Sequence, residues 1–300
     1  MTKNKRKKYR DKRNWKEYNQ KLVKRGEFYI NPQFLETWNK ETKQMNAGKV
    51  GQPYFYPKSE IEFLAVLHAK NFDYRALEGI IQSISNNHRY QFPVISYSQI
   101  CRRINTLKVD FECVKENLLV AIDGSGEKVS NRGEWMRQKW KVRRGWIKVV
   151  IMGTTDGKIV DIRVGNENLD ERKVARGMIR KNHKKIDKTI MDGLHDCRDT
   201  FNLCEKYGIE TAIKIRKNAS KKAKGSPRRK KEVIEYKKLG HDEWSKEKEY
   251  GLRWPASEGI FSSDKRIFGE SVRATKKRNM YKEVRMKFWA YNKLLEIVDS

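Results

Sequence analysis

The chain has 300 residues, 37% hydrophobic and 35% charged, with 68 Lys plus Arg against 38 Asp plus Glu and a formal net charge of +30. Such a chain can bury a core for one large domain or two, but its cation excess goes far beyond what solubility needs and repels itself unless a polyanion is the working partner. No stretch approaches the ~18 apolar residues of a spanning helix and no signal-peptide run opens the chain, so the expectation is a cytoplasmic, nucleoid-associated protein with nucleic acid rather than membrane as its partner.

Residues 1–16 form a basic arm (Lys3, Lys5, Arg6, Lys7, Lys8, Arg10, Lys12, Arg13) expected to order only on phosphate. Residues 17–114 carry helical signals. One helix is predicted over Ser59–His68 after the Pro57 breaker, a second opens at Tyr74, and a third at Ser96, where Ser96 and Gln99 spell a capping box. On the third, Tyr97, Ile100, Cys101, Ile104 and Leu107 share one face, and Ser98, Gln99, Arg102, Arg103 and Asn105 the other. Such a polar face suits a helix-turn-helix element that reads base edges through Gln99, Arg102 and Arg103; an ordinary solvated face is the plainer alternative. Cys101, Cys113, Cys197 and Cys204 lack CxxC pairing and histidines at finger spacing, which points to reduced structural thiols.

From residue 115 the pattern turns to strands. Leu118–Ile122 ends at Asp123 and small residues. Trp146–Met152 and Lys158–Val164 flank a Thr155-Asp156-Gly157 turn, a hairpin signal. A helix over 169–182, a strand ending at Asp192, a helix capped by Asp196 and a strand over Thr211–Ile215 follow. Three strands, helix, strand, helix, strand is the order of a ribonuclease-H-like α/β fold, a mixed sheet with helices. The acid-free basic run Lys217–Lys231 opens an insertion over 217–249 and reads as a flexible loop that clamps DNA backbone. Between the first two strands, Arg132–Arg144 interleaves Trp135 and Trp140 with basic residues including Arg143 and Arg144, a backbone-contacting surface or the solvated face of an edge strand.

Asp123, Asp192 and Glu258 stand after a strand, after a second strand and on a later helix. A lone aspartate after a strand is usually a cap, but this order suits a site in which carboxylates hold two Mg²⁺ or Mn²⁺ ions about 4 Å apart on either side of a phosphodiester. Glu258 and Lys265 lie about 700° apart on a helix and share a face, whereas Glu270, the rival third acid, falls ~120° around and roughly 18 Å along. Asp196, the rival second acid, is expected to act as a helix N-cap. His195 is expected beside the site rather than on a metal.

On Ala121-Ile122-Asp123-Gly124-Ser125, on Met191-Asp192-Gly193-Leu194-His195-Asp196 with Ile213-Lys214-Ile215-Arg216-Lys217-Asn218, and on Tyr250 through Gly269, the chain resembles the DDE transposases of prokaryotic insertion sequences, in the class with a Tyr-Arg-Glu-Lys signature. Tyr250-x-x-Arg253, Glu258 and Lys265 match that signature, with one residue more than usual between Arg253 and Glu258. The resemblance, over about 14–297, implies a helical DNA-binding domain followed by a catalytic domain over 115–300. It implies Asp123, Asp192 and Glu258 as catalytic metal ligands, and Tyr250, Arg253 and Lys265 as DNA contacts. It also implies an oligomer acting on the terminal inverted repeats of its element and on target DNA. A nuclease lacking the joining step, or a DNA-binding regulator or inactive remnant, is the alternative.

Overall fold

A computed structural model describes residues 14–30, 32–87, 92–111, 115–129 and 146–299. Five helices come first: α1 (Trp15–Phe28), α2 (Phe34–Asn46), α3 (Lys58–Ala69), α4 (Tyr74–Asn87) and α5 (Tyr97–Thr106). The rest contains β1 (Leu118–Val129), β2 (Trp146–Thr154), β3 (Ile159–Asn166), α6 (Glu171–Asn182), β4 (Ile186–Met191), α7 (Arg198–Lys206), β5 (Glu210–Ile213), α8 (Pro227–Glu247), α9 (Gly259–Phe268), β6 (Ser271–Val272) and α10 (Lys277–Asp299).

The sheet order is β3-β2-β1-β4-β5, with β6 also pairing β1. β1, β2 and β3 are antiparallel neighbours, while β4 and β5 run parallel to β1. This is the ribonuclease-H-like arrangement expected from the order of elements. The hairpin forms at the expected turn, where Gly157 takes φ 86 and the Thr154 N–H donates to the Lys158 carbonyl over 2.8 Å.

Period-two alternation divides the core between the sheet faces. Val120, Ile122, Val150 and Met152 bury against α6, α7 and α8. Val149 and Ile151 turn to the opposite face, into an apolar core continuous with α9, α10 and the N-terminal helices. α3 is the hub of those helices: Ile61, Phe63, Leu64, Ala65, Val66, Leu67 and Ala69 are all buried, as an all-round apolar helix requires. A smaller cluster of Ala121, Ile190, Ala212 and Ala256 leaves the sheet's centre low enough for backbone to approach.

Three local expectations change. Ser96 is the N-cap of α5 but makes no side-chain cap bond; the Glu78 carboxylate of α4 accepts the Tyr97 N–H instead, at 2.9 Å. A charged acceptor from the neighbouring helix makes the stronger bond. The basic insertion is not simply a loop, because α8 takes up Pro227–Glu247, kinked at Gly240, and buries Glu232, Val233 and Trp244. Asp196 is not the cap of α7. That position is Cys197, without a side-chain bond, while buried Asp196 accepts from Arg229 Nε (2.6 Å) and Nη2 (3.0 Å) and from the Arg216 N–H (3.1 Å).

Candidate active site

β1 does not stop at Asp123, as its small residues suggested, because β2 continues to pair with it as far as Lys128 opposite Trp146. The glycines serve close packing instead: a Cβ on Gly124 would meet the Glu171 carboxyl carbon at 2.7 Å, and one on Gly126 the Trp146 ring at 2.9 Å. What ends beside Asp123 is the parallel partner. Ile122 opposite Met191 is the last β1–β4 pair, so Asp123 and Asp192 are the next residues on adjacent strands, whose spacing is about 4.8 Å. Asp123 shares the face of Ala121. Asp192 leaves β4 and caps a single 3-10 turn, Gly193–His195, its Oδ1 accepting the Leu194 N–H at 2.9 Å. Buried His195 brings Nε2 to 4.0 Å from that oxygen, and burial lowers its pKa, favouring the neutral ring.

Glu258 is the last residue of a π-helical turn, Trp254–Glu258, that leads into α9. A π turn accommodates one residue more than an α turn. The extra residue between Arg253 and Glu258 is taken up there, and the Arg253 side chain reaches both Glu258 and Asp123. Arg253 Nη1 donates to Asp123 Oδ2 at 2.7 Å, and Nη2 donates to Glu258 Oε1. The Ser257 hydroxyl lies 3.2 Å from Asp123 Oδ2 and 2.9 Å from the Arg253 carbonyl, able to donate to either, and the Gly124 N–H donates to Asp123 Oδ1 at 2.9 Å. Burial raises the pKa of Asp123 and the neighbouring Asp192 adds to it, against Arg253 and the hydrogen bonds. Burial alone would lower the pKa of Arg253, but the Asp123 carboxylate leads the acids that raise it.

Several neighbours support this cluster. Gly153 of β2 lies under the π turn, where a Cβ would stand 2.2 Å from the Ala256 carbonyl oxygen. Tyr250 sits on a 3-10 turn with its ring 6.0 Å from Arg253 Cζ, backed by Trp244 at 5.2 Å and His241 at 6.2 Å. Burial, with help from the three acids, pushes its hydroxyl up to about 12. Before it, Glu249 adopts φ 52 and is held by Lys188 at 3.1 Å. Trp254, 62% exposed, is the first residue of the π turn.

The remaining candidates fall elsewhere. Lys265 is on α9, in the electrostatic field of Glu127 and Glu270. Glu270 is not on that helix, because Gly269 at φ 81 ends it; the Glu270 carboxylate pairs with Lys128 at 2.7 Å. On α5, Arg102 is exposed and Gln99 half-buried, but Arg103 is turned inward over the Tyr56 ring at 5.0 Å, and Tyr97, expected inside, is exposed. Arg103 also lies near buried Glu60 on α3, whose carboxyl pKa it lowers against the larger effect of burial. Arg143, Arg144, Trp135, Trp140, Cys113 and most of the basic arm lie outside the described residues. Cys101, Cys197 and Cys204 are free thiols. Among the described residues no helix is long and apolar enough to cross a membrane.

Two sequence families, both described as Transposase DDE domain, match residues 23–132 and 115–293, the second over more than half of the chain. The chain belongs to the DDE transposase family. Among solved structures it is similar to a chain of the piggyBac transposase synaptic complex with hairpin DNA, at 10% identity over 93% of this chain and 75% of that one, TM-score 0.37. It is also similar to a chain of the simian T-cell lymphotropic virus intasome in complex with PP2A regulatory subunit B56 gamma, at 9% identity over 64% of this chain, TM-score 0.26. The chain spans 65% of that second chain's length. The family assignment rests on the sequence matches.

DDE transposases work with divalent metal ions. Among the described residues no group of three or more His, Cys, Asp or Glu side chains is posed to hold one. The donor chemistry of Asp123, Asp192 and Glu258 nevertheless fits, since all three offer carboxylate oxygen to a hard cation. Between Asp123 and Glu258 the cationic role is filled by the Arg253 guanidinium.

Proposed function

We propose that Asp123, Asp192 and Glu258 are the catalytic acids of an insertion-sequence transposase that binds the ends of its element, cleaves the phosphodiester there and joins the freed 3′-hydroxyl to target DNA. The observation that carries the reading is the convergence of Asp123 with Asp192 through strand register and with Glu258 through one guanidinium. These carboxylates would hold Mg²⁺ or Mn²⁺, as a pair of ions, which supply activation of the attacking oxygen and stabilisation of the leaving one. The chain's own residues set the substrate. Tyr250 and Arg253 flank the acids to meet the scissile strand, Lys265 takes a phosphate two turns along α9, and Gln99 and Arg102 approach DNA from α5, with Arg143 and Arg144 as further backbone contacts. The working partners are the terminal inverted repeats, the target duplex and further copies of this chain, in the nucleoid of a prokaryotic cytoplasm.

The test is metal-dependent cleavage and joining of DNA carrying the flanking element ends. Asp123→Asn is nearly isosteric and removes a charged ligand, so the reaction is expected to fall by about a thousandfold or more while end binding persists. Normal cleavage by this variant would overturn the assignment. Binding itself should weaken steeply between low and physiological salt, because a protein of net charge +30 releases counterions from DNA.

A further inference from the structure

We propose that Arg253 is an internal cation that occupies the acid site of the DNA-free chain, so that a divalent ion binds only when the guanidinium leaves. The proposal rests on the reading of Asp123, Asp192 and Glu258 as the metal site, and extends it to how that site is loaded.

Three observations carry it. One guanidinium spans two of the three acids, with Nη1 on Asp123 Oδ2 and Nη2 on Glu258 Oε1. Both oxygens of Asp123 already accept hydrogen bonds, Oδ1 from the Gly124 N–H and Oδ2 from Arg253 with Ser257 alongside, so an incoming ion competes for lone pairs in use. Finally, the extra residue of the π turn brings the arginine onto the same side as Glu258, so the bridge follows from the local backbone.

The physical consequence is competition between cations. A guanidinium and a divalent ion on the same carboxylate repel each other, most strongly where water is scarce, and Asp123 is largely buried. Arg253 therefore weakens metal binding in the free chain while preventing the acids from repelling one another. A DNA phosphate offers the guanidinium an alternative bidentate partner. Where a DNA phosphate takes the Nη donors that now bridge the acids, Arg253 leaves them, metal affinity rises, and by reciprocity metal favours DNA. The acids would then be loaded on the substrate rather than ahead of it.

The experiment is Mn²⁺ binding to the full chain without DNA, followed by electron paramagnetic resonance, for wild type, Arg253→Gln, Arg253→Lys and Asp123→Asn. Arg253→Gln is expected to bind Mn²⁺ about tenfold more tightly than wild type, and Arg253→Lys, which keeps the charge but not the two-pronged bridge, to fall between. Asp123→Asn should lose the site. If Asp123→Asn loses it while Arg253→Gln binds no more tightly than wild type, the competition is wrong and the metal-site reading stands. If Asp123→Asn binds as wild type does, the metal-site reading itself fails, and this proposal with it. Wild type provides a check that needs no variant to fold: the Arg253 side-chain ¹⁵N resonance should move as Mg²⁺ is added, and an unmoved resonance at saturating Mg²⁺ would overturn the proposal.

Discussion

The acid site beside the end of β4 and the core of the N-terminal helices each set an arginine near a carboxylate, and they resolve the meeting in opposite ways. At the first, Arg253 donates to Asp123 and Glu258, Ser257 stands beside it, and part of the cluster faces solvent. At the second, Glu60 is wholly buried between helices with neither oxygen hydrogen-bonded, Arg103 leaves its Nε without a partner, and burial pushes the Glu60 carboxyl up to about 8. An isolated buried charge is expensive, so Glu60 takes a proton and becomes a structural group, while the bridged acids retain the means to bind cations. Asp264, inside α9 with both oxygens unpartnered and its pKa raised well above the ordinary value by burial, belongs with Glu60. Proximity of acid and base does not identify a reactive site; hydrogen bonding and access to solvent separate the two kinds.

The sharpest test of that contrast removes charge from the acid site. Asp192→Asn should abolish cleavage by about a thousandfold or more with little change in melting temperature, because the amide oxygen can still accept the Leu194 N–H while the charge proposed to hold metal is gone. If stability rather than activity collapsed, the acid site would belong with the structural group.

Gly153→Ala comes next, because it leaves every acid in place. The new Cβ would collide with the Ala256 carbonyl and Ile260, forcing the π turn off β2. A displacement of about 1 Å at Arg253 and Glu258 is expected to slow cleavage by about a hundredfold, with an overpacking cost of about 1–3 kcal/mol in unfolding. A variant as fast as wild type would show that the turn's seat on the sheet is not what aligns Glu258.

Glu60→Met tests the other half. The folded pKa of about 8 lies above the ordinary 4.5, so the folded chain holds more protons than the unfolded chain between those values, and wild-type stability should fall as pH rises through that window. Met, of similar length and without charge, should remove this dependence. The variant should be more stable than wild type at pH 8 by on the order of a few kcal/mol, and the difference should shrink towards pH 5, as read by urea unfolding at both. An unchanged pH profile would mean that Glu60 is not the group that titrates.

Much of this was legible in sequence because the signals are local. Apolar runs ending near Asp123 and Asp192, the Asp156-Gly157 turn and the helical periods of the first hundred residues report on one element at a time, and the sheet order follows from their succession. What stayed hidden depends on pairing between elements. That β1 runs on past Asp123 is decided by β2. The caps expected of Ser96 and Asp196 were displaced by Glu78 and by contacts from Arg216 and Arg229. The partly buried setting of Arg103 over Tyr56 was hidden because the helical wheel of α5 contains no information about its packing against other elements. The longer gap before Glu258 was visible as a departure from the signature, but its meaning required the π turn. A lone glycine in the apolar run Ile151-Met152-Gly153 was the available hint of close backbone approach.

The smallest expected effect comes from the acid that sequence placed nearest in competition with Glu258. Glu270 is exposed beyond the glycine that ends α9, and its carboxylate pairs with Lys128 at the far end of β1 from Val120. The Lys128 hydrogen bond holds its pKa below the ordinary value, so it stays ionised at neutral pH, but its pairing is screened by solvent. The backbone bond from the Lys128 N–H to the Glu270 carbonyl, 2.9 Å long, survives any change of side chain and keeps β6 on β1. Glu270→Gln should therefore leave the melting temperature nearly unchanged and cleavage within about twofold of wild type. Side by side with Glu258→Gln, measured on the same DNA and at the same Mn²⁺ concentration, the pair decides the third acid. Loss of cleavage in the Glu258 variant alone supports the bridged cluster as the reactive one, and loss in the Glu270 variant alone would move the reactive site to the Lys128 end of β1.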